Sequence, residues 1–261
     1  MMKEVMARKD RIVHLSVRES GRAKPVLLLL HGATDDPTEM MDIVREWRTA
    51  YDVSMYCYNY HRPVESVGAD LVKEITRVRA ENGLVTNATV VVFSYSAIVF
   101  REAVISADDW SLFSGMSLIQ LVPTAGGSRL ASWLRIPIIG YLAGLASKPS
   151  AAENPYGRLT KKLWDDEGNN RFCEAIRPER TSTLLVEGDS HSLAQEKDKN
   201  VRRRYLNGIG RHIVVIPKSS GVIHDYLPTH SIALAYLRNL LHRPAQASAG
   251  FQSPAASIAE Y

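Results

Sequence analysis

A chain of 261 residues is long enough for one large domain with a substantial core, and nothing in its composition divides it into two. Hydrophobic residues make up 45%, the share of a soluble globular protein rather than of a disordered or membrane-embedded one. Lys plus Arg outnumber Asp plus Glu by 32 to 28, a net charge of +4 that is scattered apart from Arg202-Arg203-Arg204; the triplet stands in a polar stretch and reads as a solvated helix face, so no nucleic-acid partner is expected.

The first ten residues are charged and lack the apolar core of a secretory signal, which gives a cytoplasmic location as the expectation. Residues 130–146 form the most apolar stretch, but Arg135, Pro137, Gly140 and Gly144 interrupt it, so no membrane span is expected. Cys57 and Cys173 match no metal-binding spacing and read as free thiols; neither a metal nor a cofactor is implied.

Strand and helix signals alternate along the chain. Val26 to Leu30 is an apolar run of the kind a strand buried on both faces shows, and it ends in a loop, His31-Gly32-Ala33-Thr34-Asp35-Asp36, whose aspartates read as turn residues. Residues 38–50 carry Met41, Val44 and Trp47 at helical spacing; 53–58 is a second strand; 64–82 is an amphipathic helix with Val67, Leu71, Ile75 and Val78 on one face. A third strand, 88–93, breaks at Ser94-Tyr95-Ser96 and turns straight into a helix. Residues 117–122, 184–186 and 213–216 are further strands. Strands joined through helices of this length pair in parallel by right-handed crossovers, so the expected fold class is α/β, an open, mostly parallel sheet with helices on both faces. The expected domain runs from 1 to 242, with an insertion at about 124–180 acting as a cap and a mobile tail over 243–261.

Ligands in such sheets bind beyond the carboxyl ends of the strands, and the chemistry-bearing residues gather there. A sharp strand-to-helix turn lifts one side chain above the sheet and aims the first N–H groups of the helix at whatever that side chain attacks. Two serines compete for the place. The residue two before the exposed one sits in crowded backbone and must be small, which Ser94 satisfies for Ser96 and Val92 does not for Ser94. Ser96 is therefore the expected nucleophile; the residue two after it should be small as well, and there the chain has the β-branched Ile98. A serine hydroxyl needs a histidine to take its proton, and the histidine needs a carboxylate to fix its tautomer. Both follow at later strand ends, in the order Ser, acid, His: Glu187-Gly188-Asp189-Ser190-His191 after one strand, and His224 after the next. Asp225 adjoins His224 and reads as a cap or loop carboxylate.

These segments together resemble an α/β-hydrolase, most closely the lipase and esterase branch. Residues 26–32 resemble the strand ending in His-Gly before the oxyanion loop, and 93–97 the nucleophile elbow. Val122-Pro123-Thr124-Ala125-Gly126-Gly127-Ser128-Arg129-Leu130-Ala131 is similar to the Thr-Pro-x-x-Gly-Ser-x-Leu-Ala segment of bacterial lipases, and 215–227 to the strand and loop bearing the catalytic histidine. The resemblance implies Ser96 as nucleophile, His224 as base, and the backbone N–H groups of Ala33 and Ala97 as the oxyanion hole. The family's usual acid position falls on His191, which cannot be an anion; Asp189 is the expected acid, with Glu187 and Asp198 as fallbacks. His31 is expected to orient the oxyanion loop by hydrogen bonds.

The function these residues imply is hydrolysis of carboxylic esters through an acyl-enzyme. The substrate is a small-molecule or lipid ester, with Met40, Met41 and the apolar residues of the insertion as candidate acyl-pocket lining. Ile98 and His191 suit a second reading, an α/β-hydrolase fold that binds a ligand without catalysis. A third keeps the triad and changes the acceptor, giving an acyltransferase or thioesterase. Oligomeric state is not legible.

Overall fold

The computed structural model describes residues 10–16, 24–33, 37–82, 88–124, 163–189, 197 and 199–241. Among the described residues seven strands form one sheet: β1 Arg11–His14, β2 Val26–Leu30, β3 Asp52–Cys57, β4 Thr89–Phe93, β5 Ser117–Leu121, β6 Thr181–Val186 and β7 His212–Ile216. Their order across the sheet is β1-β3-β2-β4-β5-β6-β7, with β1 antiparallel to β3 and every other pair parallel. The helices are α1 Met41–Trp47, α2 Val64–Asn82, α3 Ser96–Ser106, α4 Asp166–Ala175, α5 Lys199–Gly208 and α6 Ser231–Leu241. The sheet is thus open, mostly parallel and clothed by helices on both faces.

Alternation along the central strands explains why both faces are apolar. Leu28, Leu30, Val90 and Val92 enter one core with α2, α3, α4 and α5, while Leu27, Leu29, Val91 and Phe93 enter the other with α1 and α6. Side chains of successive strand residues point to opposite faces, so a strand covered on both sides must be apolar at every position. Helix α2 buries the stripe Val67, Leu71, Ile75 and Val78 against α3, as its spacing dictates.

Strand β1 departs from the sequence expectation. Only Ile12 of its four residues is buried, and it is a short edge strand whose polar ends give no strong period. The first helical stretch also differs: Pro37–Met40 is a 3-10 turn leading into α1, and α1 stops at Trp47. The arginine triplet lies on α5 as expected, but not all of it is solvated: Arg203 is exposed beside Asp166, while Arg204 is buried.

Of the expected cap, residues 125–162 lie outside the described residues, as does the tail 243–261. From Leu163 onward the chain is packed into the body of the domain. Leu163, Trp164, Phe172, Ala175 and Ile176 join the core beneath α3. Arg101 of α3 holds this return: its guanidinium stacks 3.5 Å from the Trp164 ring and 4.5 Å from the Phe172 ring, and its Nε–H donates to the Leu163 carbonyl at 2.9 Å.

Candidate active site

Parallel strands deliver their following loops to one edge of the sheet. Here β4, β6 and β7 bring together Ser94, Asp189 and His224. His224 Nε2 lies 2.7 Å from Ser94 Oγ, and His224 Nδ1 lies 2.8 Å from Asp189 Oδ2. A carboxylate only accepts, so Nδ1 carries the imidazole proton; the bare Nε2 then accepts from the Ser94 hydroxyl. The three side chains are well shielded, with His224 11% and Asp189 7% exposed. Phe93 packs its ring 5.6 Å from the imidazole on the same side of the sheet.

The serine that meets His224 is therefore Ser94, and the expectation for Ser96 is corrected. Ser94 is the first residue beyond β4 and has φ +53°, in the left-handed region that L-residues avoid. That conformation is what turns its side chain up out of the sheet. Ser96 is already the first residue of α3 and is completely buried. Its hydroxyl accepts the Phe93 N–H and lies 2.9 Å from the carbonyls of both Leu30 and Phe93, stitching the ends of β2 and β4 together beneath the elbow.

Val92 is no obstacle to Ser94. Val92, two residues before Ser94, is still regular strand paired with Leu30 and Gln120, and its side chain sits in the core shared by Tyr95 and Ala97. The crowded flank is the other one, where α3 begins under the turn, and there Ser96 is the small residue. The local signal that identifies Ser94 is thus Ser96 two residues downstream. Ile98 loses its significance with the shift, being an ordinary core position of α3.

The shift bears on the expected oxyanion donors as well. Ala97 N–H donates to the Ser94 carbonyl at 3.2 Å, so it belongs to the elbow's own turn and not to a hole beside Ser94. The amide that directly follows the elbow serine is that of Tyr95, at the N-terminal end of α3. The Ser94 carbonyl also accepts from Thr124 N–H at 3.2 Å. In a planar trans peptide the N–H points opposite to the C=O, so tying the Ser94 carbonyl back toward Thr124 and Ala97 turns the Tyr95 N–H the other way.

Ala33 stands on the loop after β2, half-buried. Gly32 before it has no room for a side chain: a Cβ there would come within 2.9 Å of Phe93 Cδ1. His31 is buried, its Nε2 accepts the Tyr58 N–H at 3.2 Å, and its Nδ1 donates to the Gly32 carbonyl at 3.1 Å. Gly32 N–H donates to the Glu39 carboxylate.

Among the other sequence candidates, Glu187 is exposed and accepts from Lys218 N–H at 3.1 Å. His191, Asp198, Asp35, Asp36 and the Asp225 side chain lie outside the described residues. Met40 and Met41 are buried in the core with α1. Among the described residues no cluster of three or more His, Cys, Asp or Glu side chains is placed to hold a metal ion, and no helix is long and apolar enough to cross a membrane. Cys57 and Cys173 are both free thiols, and burial raises the pKa of each, to about 12 for Cys57.

No protein-family model matches the chain, and no curated protein matches it in sequence. Solved structures do match it in shape. A Bacillus licheniformis lipase, BlEst2, in its mature form is 18% identical with a TM-score of 0.60, over 90% of this chain and 99% of that one. The propeptide form of the same lipase is 19% identical with a TM-score of 0.50, over 70% of this chain and only 40% of that longer one. Esterase B from Lactobacillus rhamnosis is 11% identical with a TM-score of 0.57, over 92% and 88% of the two chains. Naproxen esterase from Bacillus subtilis is 12% identical with a TM-score of 0.52, over 88% and 86%. At these identities the likeness is one of fold, and the fold is that of the α/β-hydrolases.

Proposed function

We propose that this protein is a serine hydrolase that cleaves carboxylic esters, with Ser94 as nucleophile, His224 as general base and Asp189 as the acid behind it. The observation that carries the reading is the unbroken relay from Ser94 Oγ through His224 to Asp189, at 2.7 and 2.8 Å, mounted on a serine held at φ +53°. A left-handed serine is energetically unfavourable by about 1–3 kcal/mol, and such conformations cluster at functional sites. A serine kept only for packing would have no use for it.

In the proposed reaction His224 Nε2 takes the Ser94 proton as Oγ attacks the ester carbonyl, and the N–H groups of Tyr95 and Ala33 receive the oxygen that gains charge. The imidazolium, steadied by Asp189, then protonates the departing alcohol. Water follows the same path in reverse, with His224 again as base, to release the acid from Ser94. The esterases and lipases that share the fold support the choice of substrate class. With Ser94 as the nucleophile, Ile98 no longer favours a non-catalytic fold.

A fluorophosphonate probe tests the assignment directly. Wild type and Ser96→Ala are expected to label and Ser94→Ala is not. Labelling of Ser94→Ala at the wild-type rate overturns it. Acyl transfer to an alcohol or thiol would show as a second product when those acceptors are added to a hydrolysis assay.

A further inference from the structure

Tyr58 stands one residue beyond β3 and is buried against the loop that follows β2. Three parts of this one residue hold that loop. Its ring stacks on His31, centroids 4.2 Å apart and planes 16° from parallel. Its N–H donates to His31 Nε2, which fixes the neutral tautomer with the proton on Nδ1. Its hydroxyl donates to the His31 carbonyl at 2.7 Å and lies 3.2 Å from the Gly32 carbonyl. The single hydroxyl hydrogen is shared between these two carbonyls, the Gly32 carbonyl being the longer partner, and the Gly32 carbonyl also accepts His31 Nδ1–H.

That carbonyl shares its peptide plane with the N–H of Ala33. Because the plane is rigid and trans, turning the Gly32 oxygen toward Tyr58 turns the Ala33 N–H away from it. Glu39 restrains the same residue from its other end by accepting the Gly32 N–H. We infer that Tyr58 is a positioning residue whose hydroxyl sets the Gly32–Ala33 peptide, and through it aims the Ala33 N–H at the oxygen that becomes charged in the transition state. The inference rests on the reading of Ser94 as nucleophile. No local pattern in the sequence marks Tyr58, which is 27 residues from its partner His31.

Tyr58→Phe removes the hydroxyl and keeps the ring stack and the backbone bond. Tyr56→Phe is the control: it too deletes a buried tyrosine hydroxyl, one that donates to the Val67 carbonyl at 3.0 Å on α2. With the full-length chain and p-nitrophenyl butyrate, Tyr58→Phe is expected to lower kcat about ten-fold at unchanged KM, part of the roughly 10²–10³ lost when an oxyanion donor is removed outright. The inhibition constant of a trifluoromethyl ketone, whose adduct carries the same charged oxygen, is expected to rise by about the same factor, whereas a ground-state ester analogue binds as before. Tyr56→Phe moves neither. The inference is overturned if Tyr58→Phe stays within about two-fold of wild type on both measures, or if both variants lose activity together with their thermal stability. Fluorophosphonate labelling rates give the same comparison where turnover of this ester is too slow to measure. Ser94→Ala, run alongside, separates the two levels. If it is inactive while Tyr58→Phe matches wild type, only the positioning role fails. If it retains wild-type activity, or if the wild type neither turns over nor labels, the reading of the site fails and this inference with it.

Discussion

The elbow gives a prediction that no surface serine would share: removing the Ser94 side chain altogether leaves a more stable protein than trimming it to alanine. Both Ser94→Ala and Ser94→Gly lose the hydroxyl and its bond to His224, so that term cancels between them. Alanine still has a Cβ at φ +53°, which costs about 1–2 kcal/mol in the left-handed region. Glycine has none, but it loses more backbone entropy on folding, about 0.5–1 kcal/mol relative to alanine. The midpoints of the two ranges leave Ser94→Gly ahead by about 0.75 kcal/mol, within a span of about 0–1.5 kcal/mol. For a domain of this size that is a rise in Tm of about 1–4 °C over Ser94→Ala. Ser96→Ala behaves oppositely. It keeps the proposed nucleophile but strips a buried partner from Phe93 N–H and from two carbonyls, a loss of about 1–3 kcal/mol. Differential scanning calorimetry of the three variants, paired with esterase assays, reads both axes. A lower Tm for Ser94→Gly than for Ser94→Ala would refute the strain argument. An inactive but stable Ser96→Ala would refute the assignment of the two serines.

Asp189→Asn keeps the shape behind His224 but removes the charge that selects the Nδ1–H tautomer, and kcat is expected to fall by about 10⁴ with little change in KM, read by steady-state kinetics. Arg101→Ala removes two aromatic stacks and the bond to the Leu163 carbonyl and is expected to cost about 3 kcal/mol in chemical denaturation, with the tryptophan fluorescence of the core changing as Trp164 loses its cover. Asp70, hydrogen-bonded to Arg62 and Lys73, has its pKa lowered by those partners. A carboxylate depressed in the fold contributes stability above its unfolded pKa and loses it as pH falls through the folded value. Asp70→Asn is therefore expected to cost up to about 1 kcal/mol at neutral pH, because the site is partly solvent-screened, and to match wild type once the medium is acid enough to protonate Asp70 in the fold.

What the sequence made legible was whatever repeats within one element. The stripe of α2 and the doubly apolar runs of β2 and β4 each state their own burial, so the sheet and the faces of its helices follow from them. His224 and Asp189 were also legible, because they stand directly after strands whose parallel pairing sends every such loop to one edge. What was not legible depends on contacts across the sheet. Ser94 and Ser96 are equally small and equally polar. Only the Leu30 carbonyl, 66 residues away, and His224, 130 residues away, tell which of the two is stitched down and which is lifted. Tyr58 is silent for the same reason. Strand β1 was missed because four residues at a sheet edge, with one buried, carry too little pattern to stand out from a charged terminus.

The strand ends themselves explain how an unfavourable backbone is kept in place. Phe93 pairs with Leu121, so Ser94 and Val122 are the first residues beyond two adjacent strands, and both have positive φ, +53° and +40°. The ladder does not stop where the strands do. Ser94 N–H donates to the Leu121 carbonyl at 3.0 Å, Val122 N–H to the Leu184 carbonyl at 2.8 Å, and Glu187 N–H to the Ile216 carbonyl at 2.9 Å. Each bond contributes about 1 kcal/mol and fixes one loop against the next strand, so relaxing Ser94 would break the first of them and release the Thr124 N–H from the Ser94 carbonyl as well. Elsewhere at this edge the chain takes the left-handed turn with glycine, at Gly188 before Asp189 and at Gly221 before His224, with φ +73° and +72°. Those turns need no side chain of their own, because the working residue follows. On the proposed assignment the turning residue and the working residue at Ser94 are the same, so glycine is not an option and the surrounding bonds must hold a serine where glycine would sit without strain.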